Sequence, residues 1–261
     1  MPSNHLMTAP VRLLLLGGTT ESLALAERLA GDDRRIEVTT SLAGRTLSHR
    51  PLPGRLRVGG FGGVSGLADY LVQRKIGLVV DATHPFAATI SHHAAAACEQ
   101  ACGDMGVPRL QLLRPAWTML QGDRWLEAPD MAAAAALLPG CKGCIFLAVG
   151  RQELPAFAEL SGLRMVARMV DTPAEPSLLP NCEMILDRGP FDRASEEALF
   201  DHYGFAAVVS KNSGGSASYA KIAVARSRGL PVIMITRPTP PLGERVETVE
   251  QAVEWVSRQL K

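Results

Sequence analysis

Seven short apolar runs, at residues 11–16, 36–40, 77–81, 109–112, 144–149, 206–210 and 231–235, recur along the chain with helical stretches between most of them. Those stretches cover residues 21–30, 67–74 and 86–105 in the first half and 131–138, 194–203 and 216–228 in the second. An apolar run without polar alternation makes a strand that is buried on both faces. Right-handed crossovers put helices on both faces of a parallel sheet, which is the cover such strands need. The pattern predicts an α/β fold with mainly parallel sheets.

The alternation pauses over residues 114–129, where Pro115, Trp117, Trp125 and Pro129 cluster. This reads as the junction between two α/β lobes, residues 1–117 and 118–261. At about 150 residues per domain, a length of 261 residues accommodates two compact lobes. A last segment, residues 244–260, reads as a short strand and an amphipathic helix that completes either lobe.

Composition narrows the partners. The formal net charge is +1, so no broad field draws nucleic acid or an anionic membrane, and an acidic ligand must be met by local groups. The longest early apolar run, residues 13–16, falls far short of the roughly 18 residues of a membrane span. Residues 1–10 read as a polar leader, neither signal peptide nor anchor. Five cysteines, an odd number, do not suggest a disulfide framework, which fits a reducing cytoplasm.

In open parallel sheets ligands sit beyond the carboxyl ends of the strands, so the loops there carry the functional reading. Gly17, Gly18, Thr19, Thr20 and Glu21 follow the first strand and open a helix, whose N-terminal amides suit a phosphate. The full G-x-G-x-x-G fingerprint is absent, and a glycine turn here is also plain architecture. The second strand ends in hydroxyls, Ser41 and then Arg45, with no acid to hold a ribose 2′-hydroxyl; this suits a 2′-phosphate, hence NADPH. Gly60, Phe61 and Gly62 lie in a run of four glycines around one aromatic, a tight turn or a close ligand contact. The strand at residues 77–80 runs into Asp81, Thr83, His84 and Pro85; Pro85 suits the first turn of the next helix, leaving Thr83 and His84 at the sheet edge.

The second half repeats the arrangement. Arg151 follows one strand, and Lys211, Asn212, Ser213, Gly214 and Gly215 follow another before a helix carrying Lys221. Three cations in these loops suit a carboxylate-rich ligand; a solvated helix face for Lys221 and an ion pair of Arg151 with Glu153 are the plain alternatives. No Gly-Lys phosphate loop, H-E-x-x-H motif or Tyr-x-x-x-Lys pair occurs. Cys141 and Cys144 have metal-like spacing but no second ligand pair, and the adjacent His92 and His93 do not share a helix face, so no metal site is expected.

Taken in order, residues 16–21, 81–87, 150–153 and 211–215 with Lys221 resemble the precorrin-6A reductase family of cobalamin biosynthesis, over about residue 11 to Pro238. The resemblance implies two Rossmann-like lobes with NADPH and a many-carboxylate tetrapyrrole meeting in a cleft. It also implies reduction of one conjugated double bond of precorrin-6A to give precorrin-6B. On it, residues 17–21 take the pyrophosphate, and Ser41 and Arg45 the 2′-phosphate; Gly60, Phe61, Gly62 and Thr83 complete the cofactor site. Arg151, Lys211, Ser213 and Lys221, with the rest of the 211–215 loop, take the substrate acids, and His84 stands nearest the chemistry. Two alternatives stay open: reduction of the cobalt-containing substrate with NADH, and a non-catalytic protein that senses NADPH.

Overall fold

A computed structural model describes residues 9–32, 35–44, 52–101, 106–160, 162–170, 179 and 181–261. The chain divides into two compact units, Met1–Arg114 with Pro238–Lys261, and Pro115–Arg237.

The first unit holds β1 (Val11–Leu16), β2 (Ile36–Leu42), β3 (Arg55–Val58), β4 (Ile76–Asp81), β5 (Arg109–Leu112) and β12 (Glu244–Val246). They form one sheet in the order β12-β5-β4-β1-β2-β3, with every pairing parallel. Helices α1 (Thr20–Asp32), α2 (Gly63–Gln73), α3 (Ala88–Gln100) and α7 (Val249–Gln259) flank it. Strand β1 shows why an unbroken apolar run was needed. Its side chains alternate between faces, so Leu13 and Leu15 enter a core with Leu25 and Leu29 of α1 and Trp255 of α7. Leu14 and Leu16 enter a second core with Leu67 and Leu71 of α2 and Ala94 and Ala97 of α3. One strand supplies both layers.

The segment after Arg237 returns to this first unit. Strand β12 extends the sheet beside β5, with Glu244 opposite Leu110. Helix α7 opens with a capping box in which Thr248 and Gln251 satisfy each other's backbone amides. Trp255, buried beneath it, donates its indole N–H to Glu244 at 2.8 Å, tying the helix to its own strand. The first unit thus takes in the C-terminal segment as well as residues before Arg114, and its division from the second falls at Arg114/Pro115.

The second unit holds β6 (Arg124–Ala128), β7 (Cys144–Ala148), β8 (Arg164–Met169), β9 (Cys182–Leu186), β10 (Phe205–Lys211) and β11 (Pro231–Ile235). Their order is β6-β11-β10-β7-β8-β9, again parallel throughout. Helices α4 (Met131–Ala136), α5 (Arg193–Tyr203) and α6 (Ala220–Ser227) and a 3-10 helix, Arg151–Phe157, accompany the sheet. Phe146, Phe200 and Phe205 pack together in its core, with Phe146 stacked on Phe205 at 4.9 Å between centroids. Two α/β units, each with a parallel six-stranded sheet flanked by helices, are therefore the architecture. Among the described residues no helix is long and apolar enough to cross a membrane.

The apolar runs do not announce β3, β6, β8 and β9. Strands β3, β6 and β9 stand at sheet edges and are largely solvated, and β8 carries Arg164 and Arg168 within the run. Pro85 does not open α3, contrary to the sequence expectation. The chain makes a turn at Pro85 and Phe86, closed by the Ala87 amide donating to the His84 carbonyl at 2.7 Å, and the helix starts at Ala88.

Candidate active site

At the end of β1 the chain turns through Gly17 and Gly18 into α1. Gly17 donates its amide to the Ser41 carbonyl of β2 at 2.9 Å, and a side chain there would crowd Ser22 and Thr40. Gly18 has φ +117°, in the region that favours glycine. Thr19 caps the helix: its hydroxyl accepts from the Ser22 amide at 3.1 Å and donates to the Ala82 carbonyl at 2.8 Å. The Ser22 hydroxyl in turn accepts from the amides of Gly18 and Thr19, both at 3.0 Å. Those two amides are therefore engaged within the turn, and the first-turn amides of Thr20 and Glu21 have no acceptor inside the helix. The Glu21 carboxylate receives Arg114 at 2.7 Å. Thr19, Glu21, Thr83, Pro85, Leu112 and Arg114 line a shallow recess at this end of the sheet.

Strand β4 delivers the neighbouring loop. Asp81 is buried, and its Oδ1 accepts from the Thr83 amide at 3.1 Å and the Thr83 hydroxyl at 2.7 Å. Its Oδ2 is buried with no hydrogen-bond partner among the described residues. The next residue, His84, accepts the Phe86 amide at Nδ1, 3.2 Å away, so the neutral ring carries its proton on Nε2. Asp81 and the Phe86 amide thus fix the residues that the sequence placed at the sheet edge.

On the other side of β1, the parallel register sets Ser41 of β2 against Arg57 of β3. Arg57 donates to the Ser41 hydroxyl at 3.2 Å and to the carbonyls of Gly59 and Gly60 at 2.6 and 2.7 Å. Its guanidinium lies 3.6 Å from the Phe61 ring centroid. Gly62, at φ +83°, is the N-cap of α2. Arg45 lies outside the described residues.

In the second unit, the loop after β10 is held from beneath. Asn212 accepts the Trp117 amide at 2.8 Å and donates to the Trp117 carbonyl at 3.0 Å, while the Trp117 indole donates to the Gly215 carbonyl at 2.7 Å. Arg237 donates to the carbonyls of Asn212 and Ser213 at 2.8 and 2.9 Å. Gly214, at φ +67°, passes so near the Pro115 carbonyl and Arg237 that a β-carbon would overlap both. Lys211 pairs with Glu153 at 2.9 Å, the acid weighed in the sequence for Arg151. Arg151 itself is exposed at the start of the 3-10 helix.

Lys221 lies elsewhere than either sequence reading placed it. It is 4% exposed, with Nζ donating to the Ser218 carbonyl at 2.6 Å and standing 5.1 Å from the Trp117 ring centroid. Burial pushes its ammonium down to about 7; Arg168 adds to the shift and Glu196 opposes it. It supports the turn that follows the loop and does not present a charge at the loop's surface. Ser22, Arg57, Arg114, Trp117 and Arg237 hold these loops in place and are not among the residues the sequence reading singled out for the site. Among the described residues no group of three or more His, Cys, Asp or Glu is arranged to hold a metal ion.

The family model described as Precorrin-6x reductase CbiJ/CobK matches residues 12–257. The chain belongs to this family. Among its relatives, a protein of Rhodobacter capsulatus named precorrin-6A reductase is 44% identical over 246 residues, 94% of this chain and 96% of the relative. A protein of Priestia megaterium named cobalt-precorrin-6A reductase is 30% identical over 262 residues, 95% of this chain and 99% of the relative. A solved structure titled CobK precorrin-6A reductase superposes with a TM-score of 0.89 at 42% identity, covering 95% of this chain and 97% of that one. Membership of this reductase family makes the chain an oxidoreductase, and a protein that only senses a nucleotide is set aside.

Proposed function

We propose that this enzyme reduces one conjugated double bond of precorrin-6A with NADPH, giving precorrin-6B in cobalamin biosynthesis. The observation that carries the reading is the 44% identity, over 94% of the chain, to a relative named for that substrate, against 30% to one named for the cobalt-containing substrate. The residues of the first unit fit a dinucleotide phosphate. Gly18 leaves open space where a side chain would stand, the α1 N-terminus offers two first-turn amides, and an arginine sits beside Ser41 where an NAD enzyme carries an acid.

When bound, NADPH supplies the hydride. The chain's own residues bind and orient. The amides of Thr20 and Glu21, backed by Gly17, Gly18 and Thr19, hold the pyrophosphate, with Arg114 at the rim. Ser41 and Arg45 belong to the 2′-phosphate end, beside Gly60, Phe61 and Gly62, and Thr83 lines the recess next to Glu21. Lys211, Arg151 and Ser213 meet the carboxylates of the substrate, on a loop shaped by Asn212, Gly214 and Gly215. Fixed cations of this kind position a polyanion without a charged surface elsewhere. His84, its Nδ1 engaged by the Phe86 amide, is the side chain that stands nearest the chemistry and offers an Nε2–H hydrogen bond there, while water supplies the proton to the carbon next to the one that receives hydride. The protein acts in the cytoplasm, where NADPH is kept reduced.

Supplying purified precorrin-6A or its cobalt form and following loss of reduced nicotinamide tests the reading. Oxidation of NADPH that depends on precorrin-6A supports it. Turnover only with the cobalt form, or only with NADH, replaces it with the other branch of the family.

A further inference from the structure

Arg57 is half-buried at the carboxyl end of β3, next to the strand end where dinucleotide enzymes read the adenosine ribose. Three features set it apart from an ordinary surface arginine. Its hydrogen-bond partners, the Ser41 hydroxyl and the carbonyls of Gly59 and Gly60, are all neutral, so among the described residues no carboxylate offsets its charge. Its plane is fixed by Phe61, 3.6 Å from the ring centroid, with Tyr70 at 5.3 Å. A guanidinium has five N–H donors; the three contacts use both on Nη1 and one on Nη2, leaving Nε and the second Nη2 donor without an acceptor among the described residues. Elsewhere in the first unit, Arg12 and Arg55 pair with Glu37, and Arg114 pairs with Glu21. A fixed cation with spare donors and no counter-charge is built to receive an anion.

We infer that Arg57 is the specificity-determining residue for the cofactor, donating to the 2′-phosphate that distinguishes NADPH from NADH, with Ser41 as its co-ligand. The inference rests on the NADPH reading above and moves the discriminating charge from Arg45 to a residue held by the sheet. Because β2 and β3 are parallel neighbours, Ser41 and Arg57 present their side chains together at one strand end. Phe61 and the two glycine carbonyls set the guanidinium before any ligand arrives. Arginine suits this position better than lysine, because its five donors make the three contacts to Ser41, Gly59 and Gly60 and still leave two for phosphate, whereas the three donors of an ammonium would be used up by the same contacts.

The test is direct binding of NADPH and NADH to the full-length protein by calorimetry, for wild type, Arg57→Gln, Arg57→Lys and Arg45→Ala. Glutamine keeps an amide donor near the glycine carbonyls and removes the charge, and thermal melting of each variant reports its folding. Wild type is expected to bind NADPH at least about tenfold more tightly than NADH, the scale of a charged hydrogen bond. Arg57→Gln is expected to abolish most of that preference while NADH binding stays within about twofold, with Arg57→Lys between the two. Equal weakening of both cofactors would show that Arg57 only shapes the loop and would overturn the inference. Loss of preference in Arg45→Ala with Arg57→Gln unchanged would overturn it in favour of Arg45. A wild type that binds both cofactors equally fails the NADPH reading itself, an outcome separate from either.

Discussion

Lys211 and Lys221 are both lysines that follow one strand, yet their surroundings give them opposite tasks. Lys211 is paired with the partly exposed Glu153, a contact that an incoming carboxylate can exchange. Replacing it, Lys211→Ala, is expected to raise KM for precorrin-6A about tenfold or more, as for loss of one charged hydrogen bond, with NADPH binding within about twofold. Steady-state kinetics with each substrate varied checks this, and an unchanged KM removes Lys211 from the site. Lys221 is buried between Trp117 and the Ser218 carbonyl, with Arg168 and Glu196 near enough to shift it. Its folded pKa, about 7, lies below the ordinary lysine value of 10.5. Below about 7 both folded and unfolded chains carry the proton and the full burial penalty applies. Between about 7 and 10.5 the folded chain has shed a proton that the unfolded chain keeps, so stability rises with pH, by up to about 1.4 kcal/mol per pH unit. Chemical unfolding of wild type and Lys221→Met across this window should show wild type gaining on the variant as pH rises. A constant difference contradicts the assignment.

The elements that the sequence made legible are those buried on both faces. The runs at residues 11–16 and 231–235 coincide with β1 and β11, because a strand covered on both sides has little reason to carry polar residues; the run at 109–112 coincides with β5 although it carries Arg109 and Gln111. Edge strands have that freedom, so β3 and β9 read as loops. The turns after β1, β4 and β10 were legible as strand-to-helix connections for a related reason: such turns need glycine or a capping hydroxyl close by in sequence. Their supports were not. Trp117 meets Asn212, Arg114 meets Glu21 and Arg57 meets Ser41 through the sheet, and contacts between distant residues leave no local spacing to read. Lys221 did leave a sign, since it shares a helix face with Val224 and Ala225, both buried. At this scale α7 carries a prediction. Trp255 fills the core between α7, α1 and β1, so Trp255→Ala should destabilise the first unit by roughly 3–5 kcal/mol in urea unfolding. A loss below about 1 kcal/mol would mean that α7 is dispensable to that core.

Across the whole molecule, the chain leaves its first unit at Arg114, builds the second, and returns at Pro238 to add β12 and α7. The sequence left the placement of residues 244–260 open between the lobes, because their pattern specifies a strand and a helix but not the sheet that accepts them. The net charge of +1 has the same whole-molecule character: with no broad field, the proposed binding of a polyanion would fall to placed groups such as Arg57 and Lys211. Hydride transfer from NADPH to the macrocycle is the central claim, and isotope transfer tests it most directly. With NADPH deuterated at the transferred nicotinamide position and precorrin-6A as substrate, the account predicts a reduced product carrying a single carbon-bound deuterium by mass spectrometry. Reduced product without deuterium, or NADPH consumed without any reduced macrocycle, would contradict it.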